Sequence, residues 1–306
     1  MQKPEKESIP YKTYPSPPLE ITTTKALLIA TFTKGSENII ASGFEWKKTT
    51  DNTYTKIIAQ VNNNGFSATV TGLEEDTEYN VKAFITDASN KTYYATEFNF
   101  FTKGTVVDID NNVYLTLRYG EKVWMTENMR VTHWADGTPF EGRSGGKPNE
   151  SDGPVYYYDT HHTTHLSEPN FGLLYNAAAV TWNNKQPIFF LPPIYQGVCP
   201  DGWHVATGEE WLKLMHLFTA RYADSSVASK SSNWPEPFYK ANNYSQFSVE
   251  PAGFYRWEIF SGYERDFCGL YESAVFWPGF PFVLSTAGGT VGLKGDEGLS
   301  VRCVKD

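Results

Sequence analysis

The stretch "YYYDTHHTTHLSE" gathers His161, His162 and His165 between Asp159 and Glu168. On a helix, His161 and His165 would share one face, and with Glu168 they would offer the nitrogen and oxygen donors that Zn²⁺ or Ni²⁺ accepts. The Thr-Thr pair and the polar surroundings favour an exposed loop instead, and no Glu follows His161 as a zinc protease requires. The expectation is therefore no resident metal. Paired acids occur at Glu209 with Glu210, Glu264 with Asp266, and Asp296 with Glu297. A glycosidase would hold two such carboxyls across a cleft. Glu209 and Glu210 are better explained as a helix start, and "LKGDEG" reads as a turn. No Gly-x-Ser-x-Gly elbow, phosphate loop or dinucleotide fingerprint appears, so catalysis is not expected. The remaining chemistry is aromatic. Trp234, Tyr255, Trp257, Tyr263, Tyr271 and Trp277 lie among Glu258, Glu264, Arg265 and Asp266. Flat sugar faces stack on such rings while acids hydrogen-bond hydroxyls. Tyr255 and Trp277 read as core, leaving Trp234, Trp257, Glu258, Tyr263, Glu264 and Asp266 as ligand-binding candidates.

The elements that must position these residues fall into two textures. The chain of 306 residues is long enough for two ordinary domains, and its 40% hydrophobic and 16% aromatic content can offset the entropy of ordering. A formal charge of -9 with no basic stripe opposes binding to nucleic acid or to anionic lipid. No apolar run is long enough to span a bilayer, and "MQKPEKESIPYKTYPSPPLE" has no apolar signal core. Either the chain is cytosolic or a leader was removed. Residues 1–18, with prolines at 4, 10, 15, 17 and 18, read as an extended, solvated tether.

From residue 19 to 103 the pattern is short β-rich runs, among them "ALLIATFT", "ASGFEWKKT", "FSATVTGL" and "EYNVKAFITD", separated by turn residues. That spacing predicts an all-β antiparallel sandwich ending near Thr102. Leu73 should close a turn against the core, the Tyr79 hydroxyl should tie to backbone, and Val81, Ala83 and Ile85 should alternate inward. The stretch resembles a fibronectin type III domain, an immunoglobulin-like module that usually acts as a spacer.

Residues 104–306 change texture. Val113, Leu115 and Leu117, then Val123 and Met125, predict a first hairpin. "FGLLYNAAAVT" predicts a short helix with an apolar face through Leu174, Ala177, Ala178 and Thr181, capped by Asn170. Thr207 and Glu210 have capping-box spacing. Trp211, Leu214, Met215 and Phe218 form an i, i+3, i+4, i+7 stripe, which predicts a helix over 208–219. In order, "NNVYLTLRYGEKVWMTENM", "FGLLYNAAAV", "QGVCPDGWHVATGEEWLKL", "FSVEPAGFYR", "AVFW" and "GLSVRCVKD" resemble the motifs of the FISUMP (major paralogous) domain family of Bacteroidetes and Fibrobacter secreted proteins. The sequence departs from the usual pattern at "FWPGF" and at Gln246, which stands where a Gly is common.

The resemblance implies an α+β fold like that of C-type lectins: a terminal hairpin, two helices and a curled sheet whose first and last segments meet. It also implies a disulfide between Cys199 and Cys303, with Cys268 left without a partner; the residues alone favour three buried thiols, since three is odd and the spacing matches no metal motif. A disulfide points to an oxidising compartment, hence to a cell-surface or secreted protein, an outer-membrane lipoprotein whose signal segment is absent from this chain. Calcium-dependent C-type lectins use a Glu-Pro-Asn loop and a Trp-Asn-Asp strand as oxygen ligands. Here "EPN" at 168–170 and "WNN" at 182–184 come before the capped helix rather than after it, and Asn184 replaces the carboxylate, so no Ca²⁺ site is expected. The whole reads as a non-enzymatic surface binding protein for glycan or protein, possessing no spanning segment. Its alternatives are a structural or adhesive component without sugar binding, and a polysaccharide-processing enzyme.

Overall fold

The computed structural model describes residues 10–144, 153–158, 171–181, 194–221, 246–249, 254–260, 263–268, 273–276, 283–285 and 297–306; residues 218–221, 254–260, 263–268, 273–275 and 283–285 are described through their backbone alone. The chain divides into two compact units, Met1–Gly104 and Thr105–Asp306.

The first unit holds strands β1 (Lys12–Leu19), β2 (Lys25–Thr33), β3 (Ile39–Lys48), β4 (Thr55–Ile58), β5 (Val61–Asn62), β6 (Gly65–Thr71), β7 (Glu78–Asp87), β8 (Thr92–Tyr94) and β9 (Phe98–Phe101). They form two sheets, β1-β2-β6-β5 and β4-β3-β7-β8, with β9 also paired to β7. Alternation along β2 sends Ala26, Leu28, Ala30 and Phe32 inward to meet Phe44, Phe66, Val70, Val81, Ala83 and Ile85, so the unit is an all-β sandwich. Leu73 is buried, and the Tyr79 hydroxyl accepts a hydrogen bond from the Glu74 N–H at 2.9 Å. Residues 12–19 correct the tether reading. They pair antiparallel with β2 as an edge strand whose register shifts between Ser16 and Leu19, at Pro17 and Pro18. Proline is tolerated there because an edge strand leaves one row of backbone groups unpaired. Tyr11, just before it, is buried against Phe32 and Tyr93.

The second unit contains β10 (Gly104–Val107), β11 (Val113–Tyr119), β12 (Lys122–Met125), β13 (Glu141–Arg143), β14 (Val155–Tyr157), β15 (Leu174–Tyr175), α1 (Ala177–Val180), β16 (Trp203–Val205), α2 (Gly208–Arg221), β17 (Phe254–Phe260), β18 (Tyr263–Cys268), β19 (Ser273–Val275), β20 (Val283–Ser285) and β21 (Cys303–Lys305). Its main sheet runs β10-β11-β12-β21-β16, so the last strand inserts beside the first hairpin. On β11 Leu117 is buried as expected, but Val113 is exposed and Leu115 only half-buried, while Tyr114 and Thr116 of the other face are buried. The reason is polar. The Tyr114 hydroxyl donates to Asp108 at 2.6 Å and accepts from the Arg130 N–H at 3.0 Å, satisfying the group that a buried tyrosine must satisfy.

Helix α1 also differs from expectation. Leu174 belongs to β15, and the N-cap is Asn176, whose side chain accepts from the Ala179 N–H at 3.0 Å; Asn170 lies outside the described residues. Helix α2 starts where the capping box puts it. The Thr207 hydroxyl accepts from the Glu210 N–H at 3.3 Å, and the Glu210 carboxylate accepts from the Thr207 N–H at 3.0 Å. Trp211 and Leu214 are buried beneath it.

Candidate functional site: the β17–β18 hairpin and the braced core of the second unit

Five of the six ligand-binding candidates fall on one hairpin. Trp257 and Glu258 lie on β17, and Tyr263, Glu264 and Asp266 lie on β18, with only residues 261 and 262 between the strands. Phe260 pairs with Tyr263, Ile259 with Glu264 and Glu258 with Arg265, and the register shifts between Tyr255 and Glu258. Trp234 lies outside the described residues, as do His161, His165, Glu168 and Asn184. Among the described residues no three His, Cys, Asp or Glu side chains gather as a metal-ligand set.

Residues 246–249 come before β17 in sequence, and they are held by Arg302. Its guanidinium is fully buried. It donates to Phe247 O at 3.0 Å, Ser248 O at 3.0 Å, Met125 O at 3.2 Å and Asn128 Oδ1 at 2.6 Å. Its carbon centre sits 4.8 Å from the Phe247 ring centroid. The planar fork of arginine suits this, since several donors fan out in fixed directions to carbonyls of separate segments. Phe247, Val249 and Phe276 pack with Trp124, Ala206, Trp211, Leu214 and Val304. Gln246 and Ser248 both adopt left-handed backbone, at φ 60° and 55°, so the position where glycine is common does require that conformation. Asn128 completes the brace by donating to Phe171 O at 2.9 Å.

A second buried cluster ties α2 to the chain end. His204, on β16, directs Nδ1 to Asp306 Oδ1 at 2.6 Å and Nε2 to Glu210 Oε2 at 3.0 Å, and Lys122 lies 3.4 Å from Glu210. Burial alone would lower the imidazole; its hydrogen bonds to Glu210 and Asp306 outweigh that and hold it above its ordinary value. Burial would likewise raise Glu210, but the bonds from His204 and from the Thr207 N–H bring it down to about 2. A carboxylate so stabilised is a poor base at neutral pH, and the Thr207 hydroxyl is spent on the cap. The cluster is an ionic clasp. Sequence reading missed both Arg302 and His204. Their signal was a charged or titratable residue set among apolar ones in "SVRCV" and "GWHV".

Cys199 and Cys303 are joined by a disulfide, with Cα atoms 5.9 Å apart and 104 positions apart in sequence. Cys199 reaches the bridge through Gly197, whose φ is +54° and where a Cβ would stand 2.1 Å from Val180 O, so only glycine lets the "YQGVC" stretch pass the end of α1. Among the described residues no helix is long and apolar enough to cross a membrane.

The chain is thus a β-sandwich followed by a mostly β unit that is closed by its last strand and a long-range disulfide. Residues 117–305 match the Fibrobacter succinogenes major domain, and the chain belongs to that family. No curated protein matches the sequence. Among solved structures, the sensor domain of the anti-sigma factor RsgI4 of Pseudobacteroides cellulosolvens is 21% identical, with 30% of this chain and 94% of that chain covered at a TM-score of 0.25. A myokine is 22% identical, with 29% and 98% covered at 0.23. A purple acid phosphatase from yellow lupin (Lupinus luteus) seeds is 14% identical, with 29% and 19% covered at 0.25. TM-scores this low give these likenesses no weight for function.

Proposed function

We propose that the second unit is the non-enzymatic binding head of a bacterial surface protein, C-type-lectin-like in fold, and that it takes a glycan through the β17–β18 hairpin. The observation that carries this reading is that Trp257, Glu258, Tyr263, Glu264 and Asp266 all lie on the strands of one short antiparallel pair. Aromatic and acidic residues are the types that stack on a sugar face and hold its hydroxyls. No calcium or other cofactor has a part in this reading. The first unit serves as a fibronectin type III spacer, a role its hydroxyl-tied Tyr79 supports. The long-range disulfide supports an oxidising, extracellular location, and within it we place the protein as an outer-membrane lipoprotein.

Probing the full chain on an array of plant, mucin and host glycans tests this. Saturable binding that disappears in Trp257→Ala, with the melting temperature preserved, is the expected result. A ring that stacks on ligand contributes little burial, whereas a core tryptophan costs about 3–5 kcal/mol on truncation. Unfolding of both Trp257→Ala and Tyr263→Ala would make these rings core and end the glycan argument at this hairpin. A null array with intact folding would leave the adhesive reading in its place.

A further inference from the structure

The outer face of the β4-β3-β7-β8 sheet in the first unit carries an arrangement that a spacer does not need. Phe44, Val81, Ala83 and Ile85 point into the sandwich, so Glu45, Lys82 and Phe84 between them point out. On that face the Tyr94 hydroxyl, from β8, donates to Glu45 Oε1 on β3 at 3.0 Å. Strand β7 lies between, so the bond spans about 10 Å of sheet and the ring must lie along the surface. The Tyr54 hydroxyl, from the opposite edge beside β4, donates to Glu97, which precedes β9 on the far side of β7. That ring too is laid across the strands. Lys82 rises between them, its Nζ 4.1 Å from the Tyr54 ring centroid and 4.6 Å from that of Tyr94, and pairs with Glu45 at 3.1 Å. Lys56 lies 4.0 Å over the Phe84 ring, and Lys47 stands 5.2 Å from Tyr54. The rings are thus fixed by both hydroxyl and ammonium partners, while Tyr94 keeps 50% of its surface in water and Ile58, in the same cross-strand row, keeps 61%.

This is a flat, preorganised aromatic surface, and its charges differ in exposure. Lys47, Lys56 and Lys82 share the face with Glu45, Glu78 and Glu97, but the Lys56 side chain, whose Nζ lies 3.9 Å from Glu45, is 48% exposed against 14% for that carboxylate. We propose that this face binds an acidic glycan, its sugar rings stacking on Tyr54 and Tyr94 and its uronate carboxylates pairing with Lys56 and Lys47. Rings pinned flat favour a sugar over an acidic peptide, which would use the lysines and ignore the rings. Fixing the rings in advance removes the rotamer entropy that stacking would otherwise cost. The site is built from residues of the first unit and the hairpin from residues of the second, so either reading can fail alone.

The test is calorimetric titration of the full chain with polygalacturonate fragments, neutral dextran and polyglutamate. Polygalacturonate should bind, with affinity falling as salt rises. Tyr94→Ala should weaken it at least about tenfold and Tyr94→Phe by less than about twofold, since the phenylalanine keeps the stacking face. Lys56→Glu should also weaken it, and it decides the matter should Tyr94→Ala fail to fold. Trp257→Ala should bind as the unaltered chain does. The proposal is overturned by absence of binding, by equal binding of polyglutamate or dextran, by an unaffected Tyr94→Ala, or by loss in Trp257→Ala.

Discussion

The His204 clasp makes the stability of the second unit depend on pH on two sides, and the acid side can be given a size. Glu210 is brought from its ordinary 4.5 to about 2 in the fold. A depressed carboxylate stabilises the native state fully above its unfolded value, and the contribution disappears as pH falls toward the folded one. The difference corresponds to about 3 kcal/mol, of which ~2 kcal/mol should survive the screening that Lys122 and Asp306, both partly in water, admit. His204 works in the other direction. Its folded value is raised, so its contribution is complete below about 6.5 and is lost as pH climbs through the folded value. The assay is urea unfolding followed by tryptophan fluorescence from pH 2.5 to 9. Eight of the nine tryptophans lie beyond residue 104, so the signal reports the second unit. Native stability should fall at both ends. Glu210→Gln should flatten the limb below pH 4.5, and His204→Gln should flatten the alkaline limb. Identical acid limbs in the native and Glu210→Gln proteins would refute the assignment, as would an alkaline fall that persists without the imidazole.

The other expectations rest on single contacts. Reducing Cys199–Cys303, or replacing both by Ala, should cost the second unit roughly 4–5 kcal/mol in the chain-entropy account of a loop this long, and non-reducing peptide mapping should recover that pair linked. A reduced protein with unchanged urea midpoint would contradict it. Gly197→Ala forces a Cβ toward Val180 O at a left-handed φ and should lower stability by more than about 2 kcal/mol, read as a fallen urea midpoint for the second unit. Arg302→Met keeps the packing volume but leaves four acceptors without this donor; a loss of about 3–5 kcal/mol is expected, with amide exchange quickening first in residues 247–249. Uniform quickening across the main sheet would show that Arg302 does not specifically brace the approach to the hairpin.

What could be read from the residues divides by the range of the interaction. The Tyr79 tie, the Thr207–Glu210 box and the inward run of β7 are local, set by partners a few positions apart, and periodicity exposes them. The disulfide came through family resemblance, because nothing local distinguishes which cysteines meet. Val113 misled because an alternating Val-Leu-Leu series outranks a tyrosine on hydrophobicity, yet the Asp108 carboxylate gives Tyr114 a buried partner that no count of apolar residues registers. Proline content misled at residues 12–19, since the same residues suit solvated chain and sheet edge equally well. Arg302 and His204 were invisible as a pair of braces because their partners lie as far away as positions 125 and 306.

Those two braces and the disulfide converge on one short segment, and its alternation explains how. Val301 and Cys303 enter the cluster of Tyr114, Met125, Trp134 and Tyr175, where the bridge to Cys199 is made. Arg302 and Val304 point the other way, toward Trp124, Trp211 and Phe247. Val304 is paired with Trp124 on one side and His204 on the other, so the strand is also fixed within its sheet. A covalent bond therefore locks one face of this strand while Arg302, on the other, fixes the carbonyls of Phe247 and Ser248. Taking the guanidinium away would remove a donor from both carbonyls while the disulfide stayed in place, so residues 247–249 are expected to loosen before the main sheet does.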